Sequence, residues 1–269
     1  MKRFIFSIFL ALLTLPALQA LPIYASSSQA YQDYLFQFDQ YRKTYSEFTV
    51  AKNEYLKFKS LTSETAAIEK TKFMLLQRNQ FLRAYLLLLT EKLIENPGLI
   101  SSTRTQYISL LTSEIGFLER NSVLASSIDS IESSQTVSNE LESHSNTLRV
   151  STQQGITILI LGNLNALANS YDQVTGQAQN LITTYGESVP ATKRSLIDRW
   201  MLQIQNKRSL YQQKIDLLVR KNEALQGSDS YEIDRQSVEI ASLSNQARQY
   251  LVEGASFLGE LVSALKYEN

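Results

Sequence analysis

Between Tyr31 and Phe58, the residues Tyr31, Tyr34, Phe38, Tyr41, Tyr45, Phe48 and Tyr55 recur at steps of three and four, with Lys52 the one interruption. Steps of three and four place side chains on one face of an α-helix. Nine aromatics fall within this stretch, out of 14 Tyr, 11 Phe and one Trp in the whole chain. A helix carrying such a stripe is not stable alone in water and has to cover it with other helices. The chain is therefore expected to be all-α, with the later helices covering this first one.

The rest of the chain repeats the pattern. With only 9 Gly and 4 Pro in 269 residues, breakers are few and the elements between them long. The first helix is expected from about Gln29 to Ser60. The cluster Ser60–Thr65 marks a turn and cap, and the second helix runs to the stop at Asn96-Pro97-Gly98. Ile68, Leu75, Leu82 and Leu89 share one seven-residue register in it. The third helix is expected to start with Ser101 or Ser102 as N-cap, to bury Ile108, Leu111, Ile115 and Leu118, and to weaken near Asn121. Residues 122–153 then contain ten serines and no aromatic. This stretch predicts a loop, a short helix near Ser127–Ser133 and a solvated helical segment, the boundary of the molecule. From Ile160 to Tyr185 strict four-three spacing returns, closed by Gly186 and Val189-Pro190. A fifth helix is expected over about Ala191–Leu225, with Gly227 near its C-terminus. A sixth, capped by Ser228 or Asp229, carries the seam Ile240, Leu243, Ala247, Tyr250, Gly254, Phe257, Leu261 and Ala264. Short connections make neighbours antiparallel. The expected architecture is an elongated bundle of about six long amphipathic helices, paired as hairpins one–two, three–four and five–six along coiled-coil-like seams. The segments are 1–25, 26–121, 122–153 and 154–269.

Residues 1–25 have the pattern of a secretory signal: Lys2 and Arg3, an apolar run from Phe4 to Leu15, Pro16, and small residues at Ala20 and Ala25 for cleavage. An uncleaved anchor is the alternative, although Pro16, Gln19 and Pro22 suit one poorly. Either way, the remainder is expected outside the cytoplasm, secreted or associated with the cell envelope. The formal net charge is zero, and it becomes −2 if Lys2 and Arg3 are removed. No strong overall field is present to attract nucleic acid or an anionic bilayer. With no Cys there is no disulfide and no thiolate metal site.

Chemistry is sparse. The single His, His144, has Glu140 one turn before it, which reads as a solvated helical pair, since zinc sites take three or four protein ligands. Gly254-Ala255-Ser256 resembles a nucleophile elbow for three residues, but Leu258 stands where Gly is needed. No catalytic residue, metal ligand or cofactor is therefore assigned. Two candidate surfaces remain. Tyr31, Tyr34, Phe36, Tyr41 and Tyr45 would line a groove for an apolar or aromatic ligand beside the first helix. Ile156, Ile158, Leu159, Ile160 and Leu161, between Gly155 and Gly162, would form a membrane-active segment, although the run is too short to span and reads more plainly as core. The leading expectation is a non-enzymatic protein that meets a protein partner, or its own copies, at the cell envelope. The alternatives are a secreted ligand-binding module and a membrane-active bundle. The membrane is otherwise expected to be reached only through an uncleaved N-terminus.

Overall fold

The computed structural model describes residues 26–185 and 190–266. The signal-like start and the break at Gly186–Val189 lie outside them. Among the described residues the chain forms six α-helices and no strand: α1 Ser27–Phe58, α2 Leu61–Glu95, α3 Ser101–Ser126, α4 Ile131–Tyr185, α5 Ala191–Ala224 and α6 Ser230–Lys266. Sequential neighbours run antiparallel, and α4 lies alongside α6 in the same direction, pairing Arg149 with Asp234 and Tyr171 with Gly254. At 55 residues, α4 is about 80 Å long and acts as the spine. The α1–α2–α3 segment lies on its first half and the α5–α6 hairpin on its second, with overlap in the middle. Among the described residues no helix is long and apolar enough to cross a membrane.

The first helix is not the centre of this bundle, contrary to the expectation from its aromatic stripe. α1 packs along α2 and buries only Ala30 and Ala51. Its rings interlock with two aromatics of α2. Tyr34 lies 5.6 Å from Phe81 and 5.4 Å from Tyr85, and Tyr41 stacks on Phe81 at 5.6 Å and 4°. Tyrosine hydroxyls need water or a partner, so a stripe built mostly of Tyr suits a half-wet two-helix seam better than a sealed core. The sealed core is aliphatic apart from Tyr171 and Tyr211. It runs from Leu86, Leu89 and Leu93 of α2 through Leu111 and Leu118 of α3 and Leu161 and Leu164 of α4 to Ile204, Leu218, Ile240 and Leu261 of α5 and α6.

The Ser-rich stretch is likewise more ordered in form than its composition suggests. α3 continues to Ser126, and α4 starts at Ile131 and runs unbroken through residues 131–153. Ser130 and Ser133 open it by accepting from each other's backbone N–H at 3.1 and 3.0 Å. Val137, Leu141 and Leu148 are buried. The seam looks thin in the sequence because small residues fill it. Ser134 and Ser151 are buried, and the backbone at Gly155 lies against the Leu111 side chain.

The bend between α2 and α3 is the tightest joint. Asn96 donates to the carbonyl of Leu159 and to Asn163 Oδ1, and its own Oδ1 accepts from the N–H of Gly98. Arg104 closes the end of α2, donating to the carbonyls of Leu93, Asn96 and Leu99. Ile100, not Ser101 or Ser102, occupies the N-cap position of α3 and makes no side-chain cap bond.

Two buried tyrosines lock α4 to α5. Tyr171 donates to the carbonyl of Ile204 at 3.0 Å, whereas the Tyr211 hydroxyl is buried without a partner. Replacing Tyr211 by Phe should therefore leave thermal stability unchanged or raise it by up to about 1 kcal/mol, because an unsatisfied buried hydroxyl is removed at constant shape. A Tm lowered by several degrees would contradict this. Burial pushes both phenols up to about 12. A raised folded-state value means that the contribution is complete below the ordinary value near 10 and is lost as pH climbs through about 12. Alkaline unfolding is thus expected between pH 10 and 12, and Tyr171→Phe should soften it, as read by circular dichroism against pH.

Candidate functional site

Along the second half of α4 the sequence is almost free of charge. From Val150 to Tyr185, Asp172 is the one ionisable group apart from tyrosines. Arg208 of α5 engages it with two parallel bonds, Nε to Oδ1 at 2.8 Å and Nη2 to Oδ2 at 2.9 Å. Lys207 likewise holds Glu253 of α6. These pairs secure the rear of the α4–α5–α6 unit and leave the opposite flank, between α4 and α6, without charge.

That flank is an open groove of about 470 Å³ lined by Leu167, Ser170, Tyr171 and Val174 of α4 and by Leu251, Val252, Ala255, Leu258, Gly259 and Val262 of α6. Tyr171 forms its floor, with its hydroxyl already committed to Ile204. Leu167, Val174 and Leu181 stand 42, 47 and 46 % exposed at seven-residue spacing, and Val252, 53 % exposed, lines the groove with the first two. Seven-residue spacing is the repeat of helix-on-helix seams, yet among the described residues no helix covers this column. The two glycines of α6 differ. A Cβ at Gly254 would press into the Tyr171 ring at 2.9 Å, whereas one at Gly259 would meet open space. Gly259 is thus a notch in the groove wall that nothing on the described chain fills.

The polar groups form a separate cluster. His144 does not pair with Glu140. Its Nε2 lies 2.7 Å from Oε2 of Glu114, a buried carboxylate of α3, and its ring stacks on Phe117 with centroids 3.8 Å apart. The other Glu114 oxygen accepts from Ser151 Oγ at 3.0 Å. Glu140 instead accepts from Asn121 Nδ2 at 3.4 Å. The long reach from α4 to α3 could not be read from helical spacing, which brings only i±3 and i±4 neighbours together. The order of groups matters chemically. The carboxylate sits between the imidazole and the hydroxyl, so Ser151 donates to Glu114 and is not paired with His144 as in a Ser–His nucleophile. Ser256 lies inside helix α6, not on a strand–turn–helix. Among the described residues no three His, Asp or Glu side chains converge as a metal site. A second hollow of about 560 Å³ beside the cluster, reaching from Gln106 and Tyr107 to Gln154 and Gln226, is of mixed polarity.

The two surfaces expected from sequence are placed as follows. Tyr34 and Tyr41 are engaged with α2, whereas Tyr31, Phe36 and Tyr45 are 47, 60 and 50 % exposed. The shallow hollow of about 340 Å³ beside α1, between Ser46 and Lys70, includes none of the five. Ile158 and Leu161 are buried, and Ile156, Leu159 and Ile160 are partly buried against the same core. The α4–α6 groove was missed because Leu167, Val174 and Val252 are typical of a core stripe. The one sequence signal at this face is the near absence of charge over the second half of α4. Comparisons with family models, with curated proteins and with solved structures give no match, so no relative's chemistry bears on the site.

Proposed function

We propose that this protein is a non-enzymatic helical bundle of the cell envelope that receives an apolar-faced helix of a partner protein in the groove between α4 and α6. The observation that carries the reading is the Leu167–Val174–Leu181 column, uncovered among the described residues, whose first two members line with Val252 a charge-free groove with an unfilled notch at Gly259. Helix-in-groove recognition needs such features: a dry apolar trough, anchors at i, i+3, i+4 and i+7 on the guest, and a small residue where the backbones meet. The lack of charge favours an equally neutral guest face, since an unpaired ion buried here would have no counterion. The extracytoplasmic setting rests on the signal-like residues 1–25.

A photo-crosslinking residue placed at Val252 of the full chain, expressed in its own host, tests this. The expected adduct maps to a partner helix with apolar residues at i, i+3 or i+4, and i+7. Adding Leu167→Glu and Val174→Glu to the crosslinking chain should reduce the yield at least tenfold while leaving helicity and Tm unchanged, since both side chains are exposed. An adduct formed only with a second copy of this chain would replace the partner by self-association. Equal yield from the glutamate variant would end the proposal.

A further inference from the structure

The far end of the α1–α2 hairpin has a separate character. The buried cluster that α2 shares with α3 and α4 consists of Met74, Leu75, Ala125, Ile128 and Val137, with Ile68 at its margin. The first two turns of α2 and the last turns of α1 stand beyond it, an arm projecting roughly 10 Å. At its tip Leu56, Phe58 and Leu61 are 57, 62 and 79 % exposed. Residues 55–63, YLKFKSLTS, include Lys57 and Lys59 and no acid. The acidic groups nearest in sequence are Glu54, one turn before Phe58, and Glu64, in the first turn of α2. Lys57 holds its ammonium 4.9 Å over the Phe58 ring.

The tip's backbone is largely self-satisfied. Lys59, the one non-glycine residue with positive φ among the described residues, donates its N–H to the carbonyl of Tyr55 at 2.9 Å. Ser60 and Ser63 accept from each other's N–H at 3.3 and 3.1 Å, and Glu64 donates to the carbonyl of Ser60. A turn whose amides are bonded internally can leave water without stranding them.

We infer that this tip docks on an anionic lipid bilayer. Phe58, Leu56 and Leu61 enter the boundary between headgroups and acyl chains, while Lys57 and Lys59 extend to the phosphates, their stems lying along the apolar layer. The inference does not rest on the α4–α6 groove and places the two surfaces on different parts of the molecule.

A tryptophan at the tip tests it locally. In the full chain, Phe58→Trp is combined with Trp200→Phe, so that position 58 carries the one indole. Membrane contact elsewhere, including any through residues 1–25, then leaves the signal untouched. With vesicles of phosphatidylcholine and phosphatidylglycerol, the emission is expected to shift to the blue and to be quenched by brominated acyl chains. Vesicles of phosphatidylcholine alone should give neither effect. Adding Lys57→Glu and Lys59→Glu should weaken the partitioning at least tenfold, and Lys57→Arg with Lys59→Arg should preserve it. Unchanged emission on anionic vesicles, an equal response on neutral ones, or an undiminished response from the glutamate variant would each overturn the proposal.

Discussion

Gly98→Ala is expected to destabilise the protein by at least about 3 kcal/mol. A Cβ at Gly98 would overlap the carbonyl oxygen of Gly162 and lie 2.8 Å from the amide nitrogen of Ala166. Both obstacles are backbone of the central helix α4, so no rotamer change relieves them. The only relief is to lift the α2–α3 bend off α4, which breaks the bonds of Asn96 to Leu159 and Asn163. At this chain length about 1 kcal/mol moves Tm by roughly 2–4 °C, so the melting point by circular dichroism should fall by roughly 6–12 °C. Gly176 supplies the control. It lies inside the same helix, and a Cβ there meets nothing. Gly176→Ala should therefore raise stability by about 0.5–1 kcal/mol through lower backbone entropy in the unfolded chain. Equal and small effects at both positions would show that the bend does not pack this closely.

The second large effect is expected at Asn121. Its side chain is wholly buried between α2, α3 and α4; Oδ1 accepts from Asn79 Nδ2 at 2.9 Å, and Nδ2 donates to the carbonyl of Val137 at 3.3 Å. Asn79 is 1 % exposed, and its own Oδ1 has no partner. Asn121→Ala leaves a cavity and strips Asn79 of its remaining side-chain bond, a loss of roughly 2–4 kcal/mol by the cost of unsatisfied buried amides. Replacing both residues by Leu removes the polar requirement altogether and should return stability to within about 1 kcal/mol of the parent. Urea unfolding of the three chains decides the matter. If the double variant is no better than the single, the amide pair contributes more than local satisfaction and sets the register of α2 on α3.

The helices themselves are legible in the sequence because helical period and chain breakers are local properties. Asn96-Pro97-Gly98 ends α2 for steric reasons that need no neighbour. Asp229 caps α6 by accepting from the N–H of Glu232 at 2.8 Å. Gly227 takes the left-handed conformation that a helix end favours. Legibility fails where a residue's role depends on what approaches it. The same apolar spacing describes Leu164, buried in the core, and Leu167, three residues on and left open to the groove. Ser134, Ser151, Gly155 and Gly162 look like weak helix positions, yet they are the places where α3 and the α2–α3 bend come closest to α4.

The sequence alone determined that this chain is helical, that it has about six long helices and nearly where each one stops, but not that α4 starts as early as Ile131. Those outcomes follow from backbone sterics and from side-chain spacing within a few turns. The tertiary structure decided which stripes were covered. It put the aliphatic core at the centre and the aromatic helix at the side, drew Glu114 to His144 across two helices, and left one face of α4 and α6 bare. Covering a stripe is a contest among helices far apart in the chain. Its winner depends on shape and on the hydration of groups such as the tyrosine hydroxyl, which a one-dimensional pattern of apolar residues does not record.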